Sequence, residues 1–369
     1  MAPLTITRVE AIPLKIPFEP VGKSTGWRGR AWTGLETLLV RVETSDGLVG
    51  WGDAFAYHCQ AAVKAALDRM VAPFALGRDP RDIAGLNHQL QKALHLFGRY
   101  GITIFAIGGL DIALWDLAGK RAGKPLAELL GGPVRTEIDA YASLFHLHDV
   151  EIVAEHTRAA LAQGYRYIKL HETEEPEVRA ARETAGAGVP IMVDTNCPWT
   201  PVEARANALR LKPHDLFWLE EPIFPPEDFR SLAALRRETG IAIAAGENAC
   251  TGFEFEKMFA AGAVTYAQPS VTKVGGITEF RKVAVLAEAH GVALMPHSPY
   301  FGPGFLATLQ LAAASATPSL IERFYLKLEA SLYGDAIDPV RGKFAVRLGP
   351  GLGREPDPEV IKDYRIAPE

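Results

Sequence analysis

Ile191-Met192-Val193-Asp194, Trp218-Leu219-Glu220-Glu221-Pro222 and Ala245-Gly246-Glu247-Asn248 share one pattern, a short apolar run that ends in a carboxylate. Asp194 and Glu220 are 26 residues apart, and Glu220 and Glu247 are 27 apart. One strand, one helix and their loops take about that much chain, so the pattern predicts consecutive parallel βα units with an acid at the end of each strand.

The same rhythm extends on both sides. Segments 137–144, 166–171, 189–194, 216–220, 241–246, 264–268, 292–297 and 319–322 are short and mostly apolar. Seven helix-like stretches separate them, among them 202–211, 228–238 and 278–290, with apolar residues at helical spacing. Eight strands alternating with helices are enough to close a barrel. Before this region, 6–16 and 36–43 read as strands around a turn at Asp46-Gly47, a small antiparallel sheet. From about residue 60 to 130 the spacing is helical, as in Ile104, Ile107, Asp111, Leu114 and Ala118, and Gly131-Gly132-Pro133 ends that stretch. The reading divides the chain into an N-terminal α+β capping domain (1–130), a barrel (131–330), and a polar, Pro- and Gly-rich segment (331–369) expected to pack back on the cap.

Composition removes several function classes. A length of 369 residues suits a barrel plus a second domain. The net charge of −5 gives no electrostatic ground for a nucleic-acid or membrane-surface partner. Cys59, Cys197 and Cys250 are widely spaced, which indicates neither a disulfide framework nor a structural zinc site and fits a reducing, cytoplasmic compartment. The most apolar helix candidate carries Asp111 and Asp116, and Arg8, Glu10 and Lys15 interrupt the N-terminal apolar residues, so neither a membrane span nor a signal peptide is expected.

Active sites of parallel barrels collect at the C-terminal strand ends. A single carboxylate there reads equally well as a helix cap or a surface ion pair. Three aimed at one point repel one another unless a hard cation neutralises them, and oxygen-only ligation predicts Mg²⁺ held by Asp194, Glu220 and Glu247. Lys169 and His171 end the second strand two positions apart, so both face that point as candidate bases. A nearby cation is expected to lower their pKa values. His297 ends the seventh strand, across from them, as a candidate acid or base. Glu322 ends the eighth, where a raised pKa would let it donate to a substrate carboxylate; a salt bridge to Arg323 is its alternative.

These residues resemble the mandelate racemase and muconate lactonising branch of the enolase superfamily. The resemblance spans essentially the whole chain. It is carried by Asp194, Trp218 to Pro222, Gly246-Glu247-Asn248, Lys273-Val274-Gly275-Gly276, and Gly109 to Asp116 followed by Leu129-Leu130-Gly131-Gly132. It implies an α/β fold, a modified TIM barrel of the (β/α)₇β type with an N-terminal capping domain completed by the C-terminal segment. It also implies that Mg²⁺ binds a small-molecule carboxylate substrate and stabilises the enediolate left by α-proton removal. A homo-oligomer is expected, since barrels of this type often associate.

Two positions depart from the family pattern. Lys169-x-His171 stands where Lys-x-Lys is common, so the second base is an imidazole. Ser270 occupies the place of the Asp that pairs with the strand-seven His in the racemase-like subgroup, which takes from His297 the main stabiliser of its charged form. Lys273 reads as structural. Substrate contacts are expected from Asn196 and Ser270 on the barrel and from Lys23, Arg28, Arg30 and Tyr57 on the cap, interleaved with Trp27, Trp32 and His58. The functional expectation is dehydration of a sugar acid to a 2-keto-3-deoxy acid. A racemase or epimerase of a 2-hydroxy acid or amino-acid derivative is the alternative, and a non-catalytic binding or structural barrel is the reading outside enzymology.

Overall fold

The computed structural model describes residues 3–19, 26–27 and 30–366, with the backbone alone at 26, 27, 30 and 31. Lys23 and Arg28 therefore lie outside the described residues, as does the side chain of Arg30, whose backbone pairs with Trp27 in a short hairpin.

The cap is built on an antiparallel sheet of β1 (Ile6–Pro17), β2 (Gly34–Thr44) and β3 (Val49–Ala54), in that spatial order. Helices α1 (Gln60–Ala66), α2 (Ile83–Ala93) and α3 (Ile102–Ala122) cover it. By length and composition α3 could cross a membrane, but 78% of its most apolar window is buried inside the protein. Its two acids explain the placement. Asp116 accepts hydrogen bonds from Trp51 N and Leu352 N, both at 2.9 Å, and pairs with Lys120. Asp111 accepts from Asn87 Nδ2 at 3.0 Å and Thr278 N at 2.9 Å. A helix in lipid has no such partners; this one ties the cap sheet, the C-terminal segment and the barrel together. The approach is close because a Cβ on Gly52 would overlap the Gly109 carbonyl oxygen.

Among the described residues the barrel contains eight parallel strands: β4 (Glu137–Ser143), β5 (Ile168–Leu170), β6 (Ile191–Asp194), β7 (Leu216–Glu220), β8 (Ile243–Ala245), β9 (Tyr266–Ala267), β10 (Ala293–Leu294) and β11 (Ile321–Phe324). The connecting helices are α4 (Val150–Ala162), α5 (Glu175–Ala185), α6 (Pro201–Leu211), α7 (Phe229–Thr239), α8 (Thr251–Ala260), α9 (Ile277–His290) and α10 (Pro303–Ala314). Local chemistry sets their starts, as at α6, where Thr200 and Glu203 form a capping box and Pro201 takes the first turn.

The ladder runs β10-β9-β8-β7-β6-β5-β4-β11 and does not join β10 to β11 among the described residues. Those two ends meet instead through Leu320 N to Met295 Sδ at 3.3 Å and Ser298 N to Glu322 Oε2 at 3.1 Å. The last strands are shorter than their apolar runs because Pro269 and Pro296 follow them and have no N–H to extend a ladder. Beyond the barrel, residues 343–345 add antiparallel to β4, and the chain returns to the cap through Ile366 N to the Pro13 carbonyl at 2.9 Å and Arg365 to Glu10 at 3.0 Å.

Candidate active site

Inside the barrel, Tyr141, Met192, Trp218, Ala244, Met295 and Leu320 pack into an apolar floor. Above it, at the C-terminal strand ends, sit Lys169, Asp194, Glu220 and Glu322, each no more than 2% exposed. Lys169 Nζ lies 3.1 Å from Asp194 Oδ2, 2.9 Å from Glu220 Oε1 and 2.9 Å from Glu322 Oε1. Burial pulls its ammonium pKa down, yet the charges of Glu220, Glu322 and Asp194 outweigh burial and hold it well above the ordinary lysine value.

The three carboxylates around Lys169 favour its ammonium form. Glu322 is not raised: burial pushes it up, but Lys169 and His297 hold it below the ordinary range, and it accepts from Ser143 Oγ at 2.7 Å. Arg323, its alternative partner, pairs with Asp338 instead at 2.5 Å.

His171 faces the same space, with Nε2 at 3.3 Å from Asp194 Oδ2. Its Nδ1 lies 2.6 Å from the Leu144 carbonyl, which only accepts, so Nδ1 carries a proton and Nε2 is the nitrogen offered to the site. Burial lowers its pKa, but the Asp194 charge overcomes that and the net shift is upward.

On the far side, His297 Nε2 lies 2.7 Å from Glu247 Oε2. Burial raises Glu247, but His297 and then Lys273 bring it down to about 2. The carboxylate that faces His297 thus follows β8, at Glu247, rather than standing at the Ser270 position. Ser270 is itself buried and hydrogen-bonds Tyr300, whose Oη is 3.3 Å from His297 Nδ1. Tyr300 escaped the sequence reading because it lies in a loop, where neither helical nor strand spacing marks a residue.

Asp194, Glu220 and Glu247 each place one oxygen within 4.8 Å of the others. Oxygens at about 2.1 Å from a shared hard ion lie at most about 4.2 Å apart, so small side-chain rotations suffice to gather them. Burial and the Asp194 charge push Glu220 well above its ordinary value, while Lys169 and His171 outweigh burial to hold Asp194 down. Two buried acids that cannot comfortably both be charged, in an all-oxygen set, fit a divalent cation.

Of the proposed substrate contacts, Asn196 donates its backbone N–H to Asp194 Oδ1 at 3.0 Å. Tyr57 gives its hydroxyl to the Pro299 carbonyl and stands edge-on to Trp32, so it braces the cap against the loop carrying His297. Lys273, read as structural, reaches over the Phe55 ring of the cap at 4.9 Å, and its charge is felt at Glu247. A cavity of about 550 Å³ opens between cap and barrel, lined by Phe55, Tyr100 and Phe105 on one side and Glu221, Asn248 and Lys273 on the other.

Comparison with known proteins identifies the family of the chain. Residues 15–131 match the family described as mandelate racemase / muconate lactonizing enzyme, N-terminal domain, and residues 151–360 match the one described as enolase C-terminal domain-like. The arabinonate dehydratase of Saccharolobus solfataricus is 33% identical over 350 residues, covering 92% of this chain and 93% of that protein. The 3,6-anhydro-alpha-L-galactonate cycloisomerase of Streptomyces coelicolor is 38% identical over 303 residues, 79% of this chain and 82% of its own length. A crystal structure of a racemase from Streptomyces coelicolor with bound magnesium superposes with a TM-score of 0.86 at 31% identity, covering 98% of this chain and 100% of that one.

Proposed function

We propose that this chain, which belongs to the mandelate racemase / muconate lactonizing enzyme family of the enolase superfamily, dehydrates a sugar acid to a 2-keto-3-deoxy acid. The observation that carries the reading is the placement of two imidazoles on either side of the three carboxylates, His171 against Asp194 and His297 against Glu247. A magnesium ion held by Asp194, Glu220 and Glu247 would supply positive charge at the substrate carboxylate, against the negative charge that α-proton removal creates.

The rest falls to the chain's own residues. His171 takes the α-proton on Nε2, because its Nδ1 proton is committed to Leu144. Lys169 keeps its protons and holds Asp194, Glu220 and Glu322 in place. The electron pair left on the α-carbon forms the double bond as the β carbon–oxygen bond breaks. His297 gives a proton to the departing hydroxyl, which leaves as water, and the enol then rearranges to the keto acid. Tyr300 orients His297 at Nδ1. The cavity beside Glu221 and Asn248 has room for the polyol chain. Three free cysteines among the described residues suit a cytoplasmic enzyme, and we expect a homo-oligomer.

Deuterium oxide tests this assignment. The wild type should release a 2-keto-3-deoxy acid from an acid-sugar panel. In His297→Asn, product formation should fall by about 10² to 10⁴-fold while α-proton exchange into recovered substrate persists. Loss of exchange as well would move the base role to His297. A second reading, isomerisation with two bases acting on one proton, draws support from the likeness to a structure described as a racemase; it predicts deuterium in recovered or epimerised substrate and no dehydrated product. A calorimetric titration with no magnesium binding would favour a non-catalytic barrel.

A further inference from the structure

We propose that His146, His148 and Glu172 form a second metal site, for a transition ion of the zinc class, on the barrel rim outside the carboxylate cluster. One ligand atom from each lies within 4.8 Å of the others. Two loops supply them: His146 and His148 follow β4, and Glu172 follows His171 at the end of β5.

The Glu172 carboxylate is held in one orientation. It is 2% exposed, and its Oε1 accepts from Leu147 N at 2.7 Å and His148 N at 3.4 Å. That leaves Oε2 facing His146 Nε2 at 3.7 Å, too far for a hydrogen bond. The same Nε2 is buried and has no hydrogen-bond partner. A buried polar atom left so is destabilising, and an ion between Nε2 and Oε2 would satisfy both.

The rings of His146 and His148 stack with centroids 3.6 Å apart at 26°. Two imidazolium charges at that separation repel, which favours the neutral rings a metal needs. Near-parallel rings have near-parallel lone pairs. Convergence on one ion therefore requires His148 to turn, and its exposed position leaves room for that. Two imidazoles with one carboxylate, and a fourth place for water, suit zinc rather than magnesium. The site would tie the loop after β4 to the end of β5, and with it the Leu144 carbonyl that fixes His171.

Equilibrium dialysis of the full chain against micromolar Zn²⁺ in excess Mg²⁺ tests the proposal. About one zinc per chain is expected in the wild type and in Glu247→Gln. His148→Ala, a change at an exposed residue, should weaken binding at least about tenfold, the lower bound for disturbing even a supporting residue of a metal site. With Co²⁺ in place of zinc, a visible band from nitrogen ligation should appear in the wild type and vanish in His148→Ala. Binding only at millimolar zinc, or equal binding in His148→Ala, overturns the site and leaves water as the partner of His146.

Discussion

The barrel interior holds two layers that sit two residues apart on the same strands and are chemically opposite. Tyr141, Tyr167, Met192, Trp218, Met295 and Leu320 belong to the lower layer; Ser143, Lys169, Asp194, Glu220, His297 and Glu322 belong to the upper one. Side chains that alternate along a strand return to the same face every second residue, so each strand contributes to both. Below, Tyr141 and Trp218 pack edge to face with centroids 5.9 Å apart. Above, one ammonium is shared among three carboxylates. Trp218 belongs to both, because its Nε1 donates to Glu220 Oε2 at 2.8 Å.

The contrast teaches why the charges can be there. A dry floor removes water from one side of the upper layer and makes every interaction in it stronger, including the repulsive ones. Lys169 is tolerated only with its three partners, and the carboxylates only with Lys169 or a cation. Strand β8 breaks the pattern. Ala244 lies in the floor, but the acid is three positions on, at Glu247. Gly246 supplies the turn with φ of 135°, where a Cβ would approach Phe255 Cε1 to 2.8 Å.

If the layers divide the work as described, substitutions in each should fail in different ways. The largest effect is expected from Glu247→Gln in the upper layer. Turnover should fall by about a thousandfold or more, the scale of losing a group that meets developing charge, with magnesium affinity lowered and the thermal midpoint nearly unchanged. Retained activity would remove Glu247 from the metal site. Next comes Met192→Ala in the floor, expected to cost about 2 to 5 kcal/mol of unfolding free energy in a denaturant titration while magnesium affinity changes little. A large fall in turnover without loss of stability would show that the layers are not separable. The smallest effect is expected from Tyr300→Phe, which supports the upper layer from a loop. Loss of one hydrogen bond to His297, about 1 kcal/mol, should lower kcat about fivefold and leave KM unchanged. A change in KM alone would assign Tyr300 to substrate binding.

The carboxylates, the two candidate imidazoles and Lys169 were legible because each stands at the end of an apolar run, and strand parity says which way it points. The eight strands and seven connecting helices were legible for the same reason. Glu322 was found at its strand end, but its charge state stayed open, because that depends on Lys169 from a different strand. For Lys169 the sequence showed the pull of a nearby cation on its pKa, while the opposing pull of three carboxylates needed the fold.

Local periodicity, which the chain carries in its own order of residues, therefore determined the barrel, its capping sheet and the three acids on one rim. Folding decided who answers whom: Tyr300 and Glu247 at His297, Asp111 joining the cap to the barrel and Asp116 joining it to the C-terminal segment, and His146 and His148 meeting Glu172 across two loops. Repeat spacing is a property of neighbours along the backbone, whereas a pKa or a ligand set depends on groups brought together from distant strands through a low-dielectric interior.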